Sequence, residues 1–236
     1  DDVESRGLGD VYKRQRMNRG RVQLDAAIAY TLREEQARAV HDTKIYYQSH
    51  PGGEYLWNAK PRFGKTLSVY DFCKQVDAQT VLIVTNRPAI ANSWYSDYVR
   101  FLGRESGYLF VSHVDALAGQ PHVLDEQGYL DAAAQGEVLY KRIEFVSLQD
   151  MKGSKYFGGE YDKLQHLTEL NWDVLVIDEA HEGVDTYKTD LAFDRIRCKF
   201  TLYLSGTPFK ALANDKFAGD AIFNCCLLYT SDAADE

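Results

Sequence analysis

Two short groups of residues in this chain combine residue types that suit phosphate chemistry. The first is Gly64-Lys65-Thr66, in which a glycine lets the backbone approach an anion, a lysine supplies positive charge and a hydroxyl can bind Mg²⁺. The second is Asp178-Glu179, two adjacent acids that can bind a metal ion and orient a water molecule. A basic turn before a helix and a solvated acidic turn are the plainer alternatives. Because phosphoryl transfer needs both functions, their joint presence favours a nucleotide site.

Both groups follow apolar segments that have the pattern of buried β-strands. Residues 55–57 precede the first group, a helical pattern over residues 67–76 follows it, and residues 174–177 precede Asp178. Further strands are predicted at residues 80–85, 108–112, 142–147 and 200–204, and helices at residues 89–102, 156–170 and 187–197. This alternation indicates an α/β fold, a doubly wound parallel sheet with helices on both faces. Residues 113–141 break the alternation and are predicted to be an insertion or a long connection.

The sequence Asp178-Glu179-Ala180-His181 resembles the Asp-Glu-Ala-His (DEAH) box of the superfamily 2 helicases. Five other segments fit that family in the same order, so the resemblance extends from about Leu32 to Lys210. They are Leu32 to Val40, Ala59 to Thr66, Val84 to Pro88, Phe145 to Gln149 and Leu204 to Phe209. The resemblance implies a RecA-like fold with a phosphate loop, or P-loop, that binds ATP and Mg²⁺ and hydrolyses ATP while the protein acts on nucleic acid.

The same resemblance implies which residues form the ATP site. Gln36 would recognise adenine. The residues that bind the cofactor would be Gln36, Ala59, Arg62, Gly64, Lys65 and Thr66. The catalytic residues would be Lys65, Asp178 and Glu179, with Thr66 and Asp178 as Mg²⁺ ligands and Glu179 polarising the attacking water. The loop departs from the family pattern, because Ala59 replaces the first glycine and Arg62 and Phe63 stand where small residues are typical.

The remaining segments imply contacts with nucleic acid and a coupling element. The predicted nucleic-acid contacts are Thr85, Asn86, Arg87, Ser147 and Gln149. The residues predicted to couple hydrolysis to movement are His181, Ser205, Gly206 and Thr207. Hydroxyls and amides at strand ends suit contacts with the phosphate backbone, which position a strand without recognising its sequence. An amphipathic helix for the Gln36 segment and simple strand ends with turns for the contact segments stay open as alternatives.

A narrower resemblance is to the helicase-type restriction subunits of type III and type I restriction enzymes. Trp57-Asn58-Ala59-Lys60 before the P-loop, the Leu32-Arg33 opening and the Ser205 to Phe209 ending carry it. It implies translocation on duplex DNA and association with methyltransferase or specificity subunits. An ATP-dependent RNA or DNA-repair helicase stays an alternative. So does a nucleotide-switched nucleic-acid-binding module with negligible hydrolysis, and the Ser205 segment disfavours a small-molecule kinase.

Composition excludes several other classes of protein. Hydrophobic residues make up 45% and charged residues 26% of the chain, which is typical of a folded globular protein. No stretch reaches the roughly 20 apolar residues that span a bilayer, so we expect no membrane contact and a cytoplasmic location. The four cysteines and six histidines show no metal-ligand spacing, and we interpret them as reduced thiols and as surface or core residues. Trp94 and Tyr95 are interpreted as packing residues, with base stacking as the alternative.

Both ends of the chain, residues 1–15 and 226–236, resemble translated sequencing-adapter sequence. The net charge of −8 includes −1 from the first segment and −3 from the second, which leaves −4 for the interior. An acidic total does not suit a protein that coats nucleic acid with its whole surface, so any contact requires a local patch. We expect residues 16–225 to form the first helicase domain, which binds ATP, and a second helicase domain to be missing beyond Cys225.

Overall fold

The computed structural model describes residues 29–86, 88–135, 140–178, 192–206 and 217–225. Some of the residues predicted for the site lie outside these ranges, namely Arg87, Glu179, His181 and Thr207. The two adapter-like segments also lie outside them. The other predicted site residues can be located in the fold.

The centre of the described fold is an eight-stranded sheet in which every neighbouring pair of strands is parallel. Its first five strands are β1 (Glu54–Asn58), β2 (Thr80–Thr85), β3 (Tyr108–Ser112), β4 (Val123–Leu124) and β5 (Lys141–Ser147). After the short strand β6 (Asn171–Trp172) come β7 (Val174–Asp178), β8 (Arg197–Cys198), β9 (Thr201–Ser205) and β10 (Ile222–Asn224). The order across the sheet is β10-β1-β9-β7-β2-β5-β3-β4, and β6 pairs separately with β8. Each strand predicted from an apolar run is confirmed.

Alternating side chains give the sheet an apolar core on each face. In β2, Val81 and Ile83 belong to one core, whereas Leu82 and Val84 belong to the other. Helices α1 (Glu34–Ser49), α2 (Lys65–Gln75) and α3 (Ala91–Asp97) contribute buried residues to the first core. After α4 (Glu126–Gln135), helices α5 (Leu148–Gly153) and α6 (His166–Glu169) contribute buried residues to the second core. The predicted doubly wound α/β architecture is confirmed.

Two segments differ from their sequence-based prediction. Residues 113–141, predicted as an insertion or long connection, contain the edge strand β4 and helix α4. Residues 156–170, predicted as a helix, contain only a 3-10 turn and the four-residue helix α6. Gly158 (φ 92°) and Leu164 (φ 63°) adopt left-handed backbone angles, which interrupt a right-handed helix. Of the helix predicted at residues 187–197, only the end from residue 192 is described, and Arg197 belongs to β8.

The helix predicted at residues 89–102 is confirmed with a change of type along its length. A 3-10 turn at Pro88–Ile90 leads into α3, and the backbone continues as a π-helix over Tyr98–Leu102. Among the helices of the described ranges, none has the length and apolar character required to cross a membrane.

Candidate active site

Apart from Gln36, which belongs to helix α1, the predicted site residues within the described ranges lie along one edge of the sheet, at or after the carboxyl ends of five neighbouring strands. The parallel register pairs Asn58 with Ser205, and it pairs Thr85 with both Asp178 and Ser147. The P-loop follows β1, so the order along the edge is P-loop, Ser205, Asp178, Thr85 and Ser147. Open α/β sheets bind their ligands at this edge. Segments that are distant in sequence therefore meet where phosphate chemistry was predicted.

Gly64 is the residue at which the P-loop turns into helix α2. Its φ of 84° lies in the left-handed region, which glycine adopts without strain. A Cβ at this position would stand only 2.4 Å from Nε2 of Gln36. The loop therefore needs glycine at residue 64 both for its backbone angle and for space.

Gln36 holds the P-loop against the start of helix α1. Its Nε2 donates to the carbonyl oxygen of Phe63 over 2.8 Å, and its Oε1 accepts from the backbone amide of Arg33 over 2.8 Å. Arg33 also donates through Nη2 to the carbonyl oxygens of Arg62, at 3.2 Å, and of Phe63. Gln36 is only 4% exposed. Its side chain thus braces the loop, a role that the sequence did not indicate, and its contact with adenine stays a prediction.

The two bulky residues of the loop occupy different environments. Phe63 is buried, and its ring lies 6.4 Å from that of Trp57 and 6.0 Å from that of Phe223 between centroids. Arg62 is exposed and has a φ of 70°. Phe63 anchors the loop in the core, which explains how the loop accommodates a large side chain where small residues are typical.

The start of helix α2 suits an anion. The first amides of a helix have no acceptor within the helix, and the helix dipole adds positive potential at this end. The first turn of this 11-residue helix begins with Lys65 and contains no acidic residue. At the other end of the loop, Ala59 is fully buried and donates its amide to the carbonyl oxygen of Ser205 over 3.0 Å. The P-loop is therefore supported by the sheet at one end and presents a helix terminus at the other.

Thr66 interacts with a carboxylate from helix α3. Burial raises the pKa of Asp97, while the charge of Arg100 and a hydrogen bond with the Thr66 hydroxyl partly oppose this rise. A hydroxyl that donates its proton to a carboxylate keeps oxygen lone pairs for another partner. Asp97 therefore orients Thr66 in a way that is compatible with a metal ligand.

Asp178 ends strand β7 and contacts the same helix. It is 7% exposed, and its Oδ2 accepts a hydrogen bond from Nε1 of Trp94 over 2.9 Å. Tyr70 of helix α2 supports Trp94, because its hydroxyl donates to the Trp94 carbonyl over 2.8 Å and its ring packs edge-on at 5.6 Å. The interpretation of Trp94 as a packing residue is confirmed. Sequence reasoning missed its bond to Asp178, for which no local pattern gives a signal.

The predicted nucleic-acid contacts separate into buried and exposed residues. Thr85 and Ser147 are each 1% exposed, whereas Asn86 and Gln149 are exposed. Ser147 caps helix α5, since its Oγ accepts from the amide of Asp150 over 3.0 Å and donates to Oδ2 of Asp150 over 2.5 Å. We therefore expect Asn86 and Gln149, rather than the two buried hydroxyls, to reach a nucleic acid.

The predicted coupling residues that are described lie beside the P-loop. Ser205 ends strand β9 and is 1% exposed. A Cβ added at the next residue, Gly206, would meet Cδ of Pro61 at 3.9 Å, which is an ordinary contact distance. This proximity is what a coupling role requires, and the role itself stays a prediction.

Comparisons with known proteins agree with this architecture. A family model described as "Type III restriction enzyme, res subunit" matches residues 29–210. A Mycoplasma pneumoniae protein named "Putative type II restriction enzyme and methyltransferase", C-terminus, is 27% identical over an aligned region that covers 82% of this chain and 31% of that protein. The chain thus spans about a third of the length of this relative.

Solved structures of helicase-related proteins share the fold. The SWI2/SNF2 ATPase core of Sulfolobus solfataricus in complex with double-stranded DNA matches with a TM-score of 0.54 at 16% identity, covering 80% of this chain and 35% of that one. The UvsW helicase of bacteriophage T4 matches with a TM-score of 0.52 at 13% identity, covering 83% of this chain and 60% of that one. Together with the parallel sheet and its two layers of helices, these similarities confirm the RecA-like fold.

Proposed function

Because this chain belongs to the family of type III restriction enzyme res subunits, we propose that it is the ATP-binding motor domain of a translocase that acts on duplex DNA. The motor would form part of a restriction-modification enzyme. The observation that carries the proposal is the shared edge of the sheet, where the P-loop, Asp178 and both predicted nucleic-acid segments end neighbouring strands. On such an edge, a change at the nucleotide can reach the nucleic acid through adjacent strands.

The residues at the P-loop fit ATP with Mg²⁺, and we propose that the chain binds both. The start of helix α2 and Lys65 offer amides and a cation to phosphate oxygens. Thr66 and Asp178 offer hydroxyl and carboxylate oxygens, the donor type that Mg²⁺ prefers. The left-handed backbone of Gly64 turns the loop into the helix start that would face the phosphates. When bound, Mg²⁺ would supply positive charge to the phosphate oxygens during hydrolysis.

Phosphoryl transfer depends mostly on positioning and on charge stabilisation, and the chain's residues divide these tasks. Lys65 would hold the terminal phosphates. Glu179, adjacent to Asp178 but outside the described residues, would orient the attacking water and accept its proton. Trp94 and Asp97 would act through their neighbours, since Trp94 hydrogen bonds to Asp178 and Asp97 to Thr66. Helix α3 is therefore proposed to keep both metal ligands in place.

Duplex DNA is proposed as the partner on the basis of the relatives. The Mycoplasma protein is named as a restriction enzyme and methyltransferase, and the Sulfolobus core was solved with double-stranded DNA. The net charge of −8 restricts contact to a local surface. Asn86 and Gln149, exposed after β2 and β5, would supply part of that surface by binding the phosphate backbone.

We further propose that turnover needs residues outside this domain. The resemblance to superfamily 2 helicases implies a second, similar domain that brings arginines to the transferring phosphate, and methyltransferase or specificity subunits are candidate partners. Arginines of this kind contribute about 10³–10⁵ to the rate in related phosphate-loop enzymes. Steady-state hydrolysis by the 236-residue chain is therefore expected to be slow.

Nucleotide and DNA binding measured on the same sample test the proposal. We expect the chain to bind ATP only with Mg²⁺, to bind duplex DNA in preference to duplex RNA, and to change its DNA affinity when ATP is bound. Linkage requires DNA to change the ATP affinity by the same factor. Absence of nucleotide binding would refute the ATP site. ATP binding without any effect on DNA affinity would refute the motor, and a preference for RNA would favour the RNA helicase alternative.

A further inference from the structure

A second group of polar side chains lies at strands β5 and β3, on the far side of β2 from the P-loop. Glu144, in the middle of β5, is 0% exposed, and its Oε1 lies 2.8 Å from Nε2 of His166. His113 directly follows β3, and its ring centroid lies 6.0 Å from that of His166. One ring nitrogen of each histidine and a carboxylate oxygen of Glu144 lie within 4.8 Å of one another. The fold thus brings together two histidines that are far apart in sequence.

The electrostatic balance of this group is negative. Arg142, 2% exposed, donates from Nε and Nη2 to Oε2 of Glu144 over 3.0 and 2.6 Å, and it also forms an ion pair with Glu126. One guanidinium therefore faces two carboxylates, whose charge it can compensate only in part. A buried charge without compensation is costly. The site therefore favours a further positive charge, which a metal ion would supply.

The surrounding charged side chains do not supply that positive charge. A cavity of about 370 Å³ lies beside the group and is lined by His113, Glu126 and His166 together with Asp150, Asp162 and Lys163. Lys163 is paired with Asp150 at 2.6 Å, and Asp162 is paired with Lys155 at 2.7 Å. These pairs are neutral overall, so the excess negative charge stays at the two glutamates.

The arrangement of Glu144 is that of a metal ligand with a supporting partner. Arg142 bonds to Oε2, and Oε1 faces His166. Ligating carboxylates are commonly held in this way by a hydrogen bond to their second oxygen. Two imidazoles and one carboxylate are a donor set that suits Zn²⁺, whereas Mg²⁺ prefers oxygen ligands alone.

The geometry needs only a small adjustment to hold such an ion. Bonds of about 2.0–2.2 Å in a tetrahedral site separate the ligand atoms by roughly 3.4 Å, compared with at most 4.8 Å in the group. His113 is exposed, so its ring can turn without disturbing the core. We propose that His113, Glu144 and His166 form a Zn²⁺ site that ties together the end of β3, the middle of β5 and helix α6, with the fourth position left to water.

The experiment titrates the purified, metal-free chain with Zn²⁺ by calorimetry and measures bound zinc by elemental mass spectrometry. His113→Ala removes an exposed ligand, and His166→Gln keeps a hydrogen-bond donor towards Glu144 but removes the imidazole. His41→Ala, an exposed histidine of helix α1, is the matched control. We expect wild type and the control to bind one Zn²⁺ more than either ligand variant, or to bind it at least about tenfold more tightly, because even changes beyond the ligands cost about 10–100-fold.

Two further measurements separate this site from other zinc ligands and from misfolding. Co²⁺ in place of Zn²⁺ should give tetrahedral absorption bands without the thiolate charge-transfer band that cysteine ligation produces. Zn²⁺ should also raise the unfolding temperature of wild type but not of His113→Ala, whose far-ultraviolet circular dichroism should match wild type. The proposal would be overturned if wild type did not bind zinc. It would also be overturned if either histidine variant bound zinc as tightly as wild type.

Discussion

Trp94 donates its indole N–H to Oδ2 of Asp178 over 2.9 Å, and this bond joins helix α3 to the carboxyl end of strand β7. Trp94 is 1% exposed and Asp178 is 7% exposed, so water has little access to the bond. We expect this bond to hold the Asp178 carboxylate in the orientation that a metal ion requires. The bond thus ties an apolar packing residue to the proposed Mg²⁺ chemistry.

Trp94→Phe should weaken the dependence of nucleotide binding on Mg²⁺. The substitution keeps an aromatic ring against Tyr70 but removes a hydrogen bond to a carboxylate, and bonds to charged groups contribute about 1.5–3 kcal/mol. We expect the Mg²⁺ concentration for half-maximal ATP binding to rise several-fold. Trp172→Phe is the control, because Trp172 is also buried and donates Nε1 to the carbonyl of Leu167 over 3.1 Å, outside the proposed site. If the required Mg²⁺ concentration rose equally in both variants, Trp94 would contribute to the stability of the fold and not to Mg²⁺ binding.

Lys65→Ala should weaken ATP binding by an order of magnitude or more. The reason is the loss of a charge-assisted contact, worth about 1.5–3 kcal/mol, at the proposed phosphate site. Lys74→Ala changes a lysine at the other end of the same helix and should leave the affinity unchanged. Fluorescence titration with a labelled ATP analogue measures both variants. Equal affinity in wild type and Lys65→Ala would place the nucleotide elsewhere.

Glu179→Gln should separate binding from hydrolysis. The amide keeps the size of the side chain but removes the proposed base, so ATP should still bind while turnover falls. Since the isolated chain is expected to turn over slowly, the rate is compared in single-turnover assays with the protein in excess over ATP. Glu160→Gln, an exposed acid, serves as the control. A single-turnover rate that does not change would exclude Glu179 from the chemistry.

Gly64→Ala should destabilise the chain and impair nucleotide binding together. The new Cβ would meet Nε2 of Gln36 at 2.4 Å, so the brace between α1 and the P-loop would have to move. Gly158→Ala is matched in backbone angle, with φ of 92°, but its Cβ would meet nothing within 4 Å. It should cost only the left-handed strain of about 1–2 kcal/mol and leave ATP affinity intact. Equal losses of stability and affinity in the two variants would argue against the brace.

Asp173→Asn should remove a pH-dependent part of the stability. Burial alone would raise the pKa of Asp173. Hydrogen bonds from Lys199, at 2.6 Å, and from the amides of Gln79 and Thr80 lower it by more than burial raises it, so the pKa lies below its ordinary value. A lowered folded-state pKa stabilises the protein above the unfolded-state value, about pH 4, and this stability is lost as the pH falls through the folded-state pKa.

Urea unfolding at pH 7 should therefore show Asp173→Asn to be less stable by about 1.5–3 kcal/mol, and the difference from wild type should shrink below about pH 4. Asp162→Asn breaks an ion pair with Lys155 at the exposed surface and should change little at either pH. A difference that stays constant down to acid pH would mean that the charge of Asp173 is not its cause.

The order of strands and helices was predictable from the sequence because the signals are local. Runs of three to six mostly apolar residues identified the long strands, and Gly64 before Lys65 identified the start of a helix. The helix prediction at residues 156–170 was wrong, because its apolar pattern belongs to a turning segment. Tyr156, Phe157, Leu164 and Leu167 have spacing that suits a helix, but a chain that turns at Gly158 and Leu164 buries them from a loop and a short helix.

Contacts between distant segments were decided only by the tertiary structure. The sequence by itself determined an α/β fold and identified both halves of the proposed ATP site, since each half is a continuous motif. The bond of Trp94 to Asp178, the brace from Gln36 to Phe63 and the meeting of His113, Glu144 and His166 depend on which strands are neighbours. Strand order is a long-range property, because parallel strands are joined by crossovers and not by the residues that pair. No short motif therefore encodes these contacts.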